Sequence, residues 1–143
     1  IGCCLVGSEM CIRDRLKGLS KLTAAESDTA ALAAMKAAVD AAGLGARLDC
    51  IEADLMRAPL TADLFGDVEA VIIDPPRAGA SAQCEILATT AVPAIAMVSC
   101  NPASFARDAA ILVAGGYRLT SLQIIDQFRF SSHVEIVAGL ERG

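Results

Sequence analysis

The sequence of 143 residues has no tryptophan and few aromatic side chains of any kind. Aromatic residues make up 3% and hydrophobic residues 55%, so the core must be built from Ala, Leu, Ile and Val. There is no surplus of positive charge either, since 12 basic and 17 acidic residues leave a net charge of −5. This balance argues against the chain gripping a polyanion unaided. No apolar run approaches membrane-spanning length, and we expect one soluble domain without a membrane association.

The cysteines lack any recognisable ligand or disulfide spacing. Six of them stand at positions 3, 4, 11, 50, 84 and 100. This spacing matches neither a zinc nor an iron–sulfur pattern, nor the framework of a secreted disulfide-rich domain. We therefore expect no bound metal and reduced thiols in a cytoplasmic protein. Cys50 and Cys84 lie in apolar surroundings and are predicted to be small core residues.

Apolar runs alternate with helical patterns along most of the chain. The pattern predicts strands at 21–26, 46–54, 68–74 and 94–99, and helices at 27–43, 81–91 and 102–116. The last two runs, 117–126 and 133–141, have no helix between them and predict an antiparallel finish. Strands alternating with helices are typical of the α/β class with a doubly wound parallel sheet.

Polar side chains end the four predicted strands, at Glu26, Asp54, Asp74 and Cys100. In doubly wound sheets, ligands bind beyond the carboxyl ends of the strands. Glu26 and Asp54 suit a nucleoside, because one carboxylate can accept hydrogen bonds from ribose hydroxyls and another from an adenine amine. The alternative for each of these two is an ordinary helix cap. Four such residues together predict a binding site.

The stretch "DPPRAG" at 74–79 predicts a rigid loop. Two prolines directly after a strand forbid a helix and remove two backbone donors, so the loop holds Asp74 in place. A rigid loop suits the orientation of a planar base or a cofactor amine. The alternative is a simple proline-rich turn. Arg77 is a candidate for a phosphate contact or, equally, for a surface ion pair.

The stretch "VSCNP" at 98–102 places a thiol on a strand-to-helix turn. Pro102 suits the first turn of a helix, and a helix amino terminus favours a thiolate. Cys100 is therefore a candidate covalent nucleophile, with a buried structural cysteine as the alternative. Further on, His133 and Glu135 stand two apart on a predicted strand and face the same way. Glu135 is a candidate general base, and the histidine a structural hydrogen-bonding group.

These residues together resemble a known family. The segments "DPPRAGA", "VSCNPASFARDAAIL", "GGYRL" and "IDQFRFSSHVEIVAGLER" are similar, in this order, to the RNA uracil-5-methyltransferases, which act on 23S ribosomal RNA or transfer RNA. The resemblance covers about residues 16–142. It implies a Rossmann-like class I methyltransferase sheet, S-adenosylmethionine as cofactor and RNA as partner.

The resemblance also implies a role for each candidate residue. Cys100 would be the nucleophile that adds to uracil, and Glu135 the base that removes a proton. Glu26 would bind the cofactor ribose, and Asp54 would lie near its adenine. Asp74 would belong to the pocket that holds cofactor and uracil.

The amino-terminal stretch departs from the family pattern. Residues 1–15, "IGCCLVGSEMCIRDR", lack the glycine-rich first loop and look like adapter read-through, so we expect them to be foreign and residues 16–143 to be a partial catalytic domain truncated at its amino terminus. The apolar start would fill the first-strand position, with residues 8–18 as a makeshift helix. We expect a monomer that binds the cofactor weakly. Two alternatives stay open: an amine-directed methyltransferase, which Arg77 and Cys100 disfavour, and a silent nucleotide-binding or interaction fragment.

Overall fold

The predicted alternation of strands and helices is present in the computed structural model, which describes residues 2–3, 20–126 and 134–143. Two short 3-10 turns, Gly45–Arg47 and Ala62–Phe65, lie in the connections. The strands are β1 (Gly2–Cys3), β2 (Leu22–Glu26), β3 (Leu48–Glu52), β4 (Ala70–Ile73), β5 (Ala94–Ser99), β6 (Tyr117–Ile125) and β7 (Glu135–Arg142). The helices are α1 (Thr29–Ala41), α2 (Ser81–Ala88) and α3 (Pro102–Ala114).

The strands form two sheets that meet at β1 and β4. One has the order β1-β2-β3 and is parallel throughout. The other has the order β4-β5-β7-β6, in which β4 and β5 are parallel and β7 is antiparallel to both its neighbours. Because β1 lies beside β4, the combined strand order is 3-2-1-4-5-7-6. The predicted α/β class, parallel sheet and antiparallel finish are confirmed.

The amino-terminal run takes the predicted first-strand position where it is described. Gly2 and Cys3 pair with Leu22 and Thr23 of β2 and lie on the side of β4. The helix predicted at 8–18 falls outside the described residues. None of the helices in the described part of the chain is both long and apolar enough to cross a membrane.

The main core lies between the second sheet and helices α2 and α3. Its buried residues include Ile73 of β4, Met97 of β5 and Leu140 of β7. Leu87 of α2 and Leu112 of α3 belong to the same cluster. Two smaller clusters lie beneath α1. One contains Leu22 and Val39, and the other Ala24, Leu32 and Met35, so the predicted helix face 32, 35 and 39 is confirmed.

Two sequence predictions about this core need correction. Cys84 is fully buried as predicted, but Cys50 is exposed because β3 is the outer strand of its sheet. Helix α2 ends at Ala88 rather than at residue 91. The hydroxyls of Thr89 and Thr90 donate to the carbonyls of Ile86 and Leu87 at 2.7 and 2.8 Å, so side chains satisfy the last turn.

Candidate functional site

A pocket of about 150 Å³ opens at the carboxyl ends of β2, β3 and β4. Three of the predicted site residues, Glu26, Asp54 and Asp74, line it together. The parallel strands end at the same edge of the sheet, which is why residues far apart in sequence converge here. The rest of the wall is largely apolar and includes Leu55, Leu60, Phe65, Val71 and Ile73.

Glu26 is half-buried at the end of β2 and ties the start of α1 to the pocket. Its Oε1 accepts hydrogen bonds from the backbone N–H groups of Ser27 at 2.7 Å and Asp28 at 3.0 Å. Asp28 then caps the helix, accepting from Ala30 at 2.8 Å and Ala31 at 3.1 Å. Capping is therefore done by Asp28, and the second carboxylate oxygen of Glu26 has no recorded donor among the described residues.

Asp54 lies on the exposed rim of the pocket and shapes its own turn. Its Oδ1 accepts from the backbone N–H of Met56 at 3.1 Å, and its Oδ2 lies 3.5 Å from Nε of Arg57. The backbone N–H of Ala53 donates to the Glu26 carbonyl at 3.0 Å, which joins the ends of β2 and β3. Asp54 thus acts as a local turn former at the position where the sequence predicts an adenine contact.

Asp74 lies half-buried between the pocket and the end of β5. Burial raises the pKa of its carboxyl above the ordinary value, and the neighbouring charge of Glu135 raises it further. Glu135, from the far end of the chain, therefore lies near enough for its charge to act on Asp74.

The strand register places Cys100 and Glu135 at the same end of one strand pair. Ser99, the last residue of β5, pairs with Ile136 of antiparallel β7, so Cys100 directly follows this pair on one strand and Glu135 directly precedes it on the other. Both residues are half-buried. The predicted neighbour His133 falls outside the described residues.

The turn that carries Cys100 is fixed from both sides. The backbone N–H of Asn101 donates to Oγ of Ser99 at 3.2 Å, and the same hydroxyl donates to the Asn101 carbonyl at 3.2 Å. Asn101 caps α3 by accepting from the N–H of Ala103 at 3.0 Å, with Pro102 in the first turn as predicted. Cys100 is thus held between a strand end and a helix cap.

Sequence reasoning missed the polar side of α3. The apolar residues Phe105, Ala109 and Leu112 pack against the core, as their helical spacing in the sequence indicates, but Ser104 and Asp108 are more deeply buried than Phe105 and Ala109. Ser104, Asp108 and Leu112 are spaced four residues apart and so lie on one face of the helix. This spacing is the sequence pattern that could have indicated their burial. Ser104 and Asp108 face the loop 74–80, whose backbone groups need hydrogen-bond partners.

Arg77 is exposed on that loop, and no ion pair to it is recorded within residues 20–126 or 134–143. Its backbone carbonyl accepts a hydrogen bond from Nδ2 of Asn101 at 3.0 Å. This bond joins the loop that carries Asp74 directly to the turn that carries Cys100.

Comparison with known proteins gives a consistent picture. Residues 61–142 match the family model described as tRNA (uracil-5-)-methyltransferase. An uncharacterized RNA methyltransferase of Mesorhizobium japonicum is 46% identical over 129 residues, which are 90% of this chain and 31% of that protein. The 23S rRNA (uracil(1939)-C(5))-methyltransferase of Chromohalobacter salexigens is 48% identical over 75 residues, 52% of this chain and 16% of that protein.

The fold is likewise similar to that of solved methyltransferase structures. A Pyrococcus horikoshii protein described as a putative RNA methyltransferase aligns with a TM-score of 0.64 at 13% identity, covering 90% of this chain and 66% of that one. At this identity the similarity concerns the fold, which is Rossmann-like. The chain spans about a third of the length of the curated relatives that match most of it.

Proposed function

We propose, on the premise that this chain belongs to the tRNA (uracil-5-)-methyltransferase family, that it carries the centre that methylates carbon 5 of a uracil in RNA. The observation that supports the proposal is that Cys100 and Glu135 lie at the same end of the β5–β7 strand pair, where the charge of Glu135 also acts on Asp74. A thiol and a carboxylate at one strand edge supply the nucleophile and the base that the reaction needs.

The pocket fits S-adenosylmethionine as the cofactor. Glu26 keeps one carboxylate oxygen for the ribose hydroxyls, and the apolar wall around Phe65 and Val71 suits a planar adenine. Asp54 lies on the rim for the adenine amine, and Asp74 lines the same pocket at the end of β4. When bound, this cofactor supplies an electrophilic methyl group on a sulfonium sulfur.

Carbon 5 of uracil is a weak nucleophile until a thiolate adds to the ring. In the proposed reaction the Cys100 sulfur forms a bond to carbon 6, and the electron pair of the 5,6 double bond moves towards the carbonyl to give an enolate. Carbon 5 would then be electron-rich and would take the methyl group, whose bond to the sulfonium sulfur would break and leave its electron pair on that sulfur. Glu135 removes the hydrogen of carbon 5, the 5,6 double bond reforms, and the bond from carbon 6 to sulfur breaks.

We propose 23S ribosomal RNA as the substrate before transfer RNA. This preference is supported by the printed activity of the Chromohalobacter salexigens relative, while the family model is named for transfer RNA. Because the net charge is −5, we propose that this chain supplies the uracil pocket and that it does not supply the main binding surface for the RNA phosphate backbone. Both RNA classes are made and used in the cytoplasm, where we expect the activity, and we expect the protein to act as a monomer.

The proposal is tested with a chimera, in which this chain replaces the matching segment of the Mesorhizobium japonicum relative. Unmodified ribosomal RNA and transfer RNA are incubated with the chimera and S-adenosylmethionine, digested to nucleosides and examined by mass spectrometry. We expect 5-methyluridine in ribosomal RNA, and none with a Cys100→Ala chimera. The unaltered relative is the positive control. Cofactor binding without methylation, when the relative itself is active, would favour the nucleotide-binding alternative instead.

A further inference from the structure

Three residues of the loop after Asp74 are bound by helix α3 and its cap residue. Nδ2 of Asn101 donates to the Arg77 carbonyl at 3.0 Å, and Nη2 of Arg107 donates to the Ala78 carbonyl at 2.8 Å. The backbone N–H of Ala80 donates to Oδ2 of Asp108 at 2.6 Å. Loops rarely receive this many partners from one helix, because most of their backbone groups face water.

Gly79 completes the contact and leaves no space at the interface. Its φ is +85°, a conformation that favours glycine. A Cβ placed on Gly79 would lie 2.4 Å from Nη2 of Arg107 and 2.4 Å from Oδ2 of Asp108, which is impossible without displacement. The loop backbone therefore rests directly on this ion pair.

The ion pair itself is unusual for its burial. Asp108 is 1% exposed, and Nε and Nη2 of the half-exposed Arg107 bind its Oδ1 at 2.9 and 2.7 Å. Burying a carboxylate is costly, and an apolar pair of similar volume would often stabilise a core as well or better. A charged pair at this place is better explained by what it holds than by its contribution to the free energy of folding.

We propose that Arg107 and Asp108 are positioning residues that fix the 74–80 loop on α3 and so set Asp74 relative to Cys100. The same helix begins at the cap that follows Cys100, so the nucleophile and the carboxylate rest on one rigid element. A displacement of about 1 Å in an active site can lower a rate by about a hundredfold. Contacts that keep the 74–80 loop in place would therefore matter for catalysis. The role in catalysis rests on the proposed function, whereas the fixing of the loop does not.

The test measures the titration of the Asp74 carboxyl by NMR in the 143-residue chain and in an Arg107→Gln variant. Loss of a positive charge by itself raises the pKa of a nearby carboxyl. Release of the loop exposes Asp74 to water and lowers its pKa towards the ordinary aspartate value. A fall therefore reports movement of the loop and a rise reports charge alone. We expect a fall in Arg107→Gln and no change in Arg118→Gln, which removes the same charge from the exposed strand β6.

Hydrogen exchange gives a second readout, which does not depend on the Arg107 variant. In the unaltered chain the amide of Ala80 should be protected, and Asp108→Asn should accelerate its exchange by about tenfold to a hundredfold, as expected for loss of a charge-assisted hydrogen bond. The amides of β3 should keep their rates. Arg107→Lys, which keeps the charge, replaces Arg107→Gln if that variant does not fold.

An unprotected Ala80 amide in the unaltered chain, or an Asp74 pKa that rises or stays constant in the folded Arg107 variant, would overturn the proposal. Neither measurement contains RNA or cofactor. The methylation assay can consequently fail while the positioning result stands, and the reverse.

Discussion

The two sheets of the molecule differ in how firmly they hold their functional residues. The second sheet lies on the large core under α2 and α3, and the loop and turn around Asp74 and Cys100 are bound to one another and to α3. The first sheet packs against α1 through two small clusters, and Asp54 stands on its exposed rim. A group that forms and breaks covalent bonds needs a fixed position, whereas a ligand-binding carboxylate tolerates a looser one.

The largest expected difference between the two regions is catalytic. In the chimera, Glu135→Gln should lower turnover by about a hundredfold to ten-thousandfold, the usual contribution of a general base. Thiol addition and methyl transfer remain possible, so methylated RNA bound to protein should accumulate on a denaturing gel. The matched variant Glu26→Gln should instead raise the Kd for the cofactor by about tenfold to a hundredfold. Its turnover at saturating cofactor should stay near that of the unaltered chimera.

If Glu135→Gln turned over normally, the base would lie elsewhere. If Glu26→Gln trapped RNA in the same way, the division of roles between the two sheets would be wrong.

A difference in stability should separate the same two regions. Leu140→Ala removes a side chain from the large core and should lower the free energy of unfolding by about 4–5 kcal/mol, near the upper end for such changes. Leu22→Ala opens a cluster with few neighbours and should cost about 2 kcal/mol. Both leucines are strand residues that are almost fully buried, at 1% and 3% exposure. Urea unfolding of the two variants measures the difference, and equal losses would contradict it.

The sequence predicted the features of the fold that depend on local apolar spacing, and it missed those that depend on contacts between distant segments. The alternation of strands and helices, the antiparallel finish and the buried face of α1 could be predicted because they follow from the spacing of apolar residues along the chain. Cys50 was placed wrongly, because an apolar neighbourhood in sequence does not reveal that β3 is the outer strand. The buried Asp108 was missed, because its partners are backbone atoms of a loop about 28 residues away. Only the fold makes such contacts visible.

The site shows a similar contrast. The strand-end rule predicted that Glu26, Asp54, Asp74 and Cys100 would share one site, and the first three line the pocket whereas Cys100 does not. Spacing alone did not pair Cys100 with Glu135, because their placement at the same end of one strand pair depends on the register between β5 and β7. The family resemblance supplied both residues, and their catalytic roles remain predictions.

The smallest expected effect concerns the pH dependence of stability at Asp74. Its folded-state pKa is raised by burial and by Glu135, so the native state holds this proton more tightly than the unfolded state does. This contribution to stability is fully present below the unfolded value near 3.8 and is lost as the pH rises through the folded pKa. At pH 7 the charged carboxylate destabilises the fold.

Replacing Asp74 with asparagine should therefore stabilise the chain at pH 7, and the gain should disappear as the pH falls below about 3.8. Asp67→Asn, at an exposed position, is the control and should change little. Urea unfolding at several pH values measures both. A destabilised Asp74→Asn chain at neutral pH would show that the carboxylate is a structural acceptor rather than a strained functional group.

The central claim, that Cys100 attacks the uracil ring, is tested most directly by trapping. RNA carrying 5-fluorouridine should form a stable adduct with the chimera in the presence of S-adenosylmethionine, because fluorine on carbon 5 cannot leave as a proton does. Mass spectrometry of the digested adduct should place the methylated nucleotide on the peptide that contains Cys100. Cys50→Ala should trap RNA normally and Cys100→Ala should not. An adduct that persists in Cys100→Ala, or that maps to another cysteine, would contradict the account.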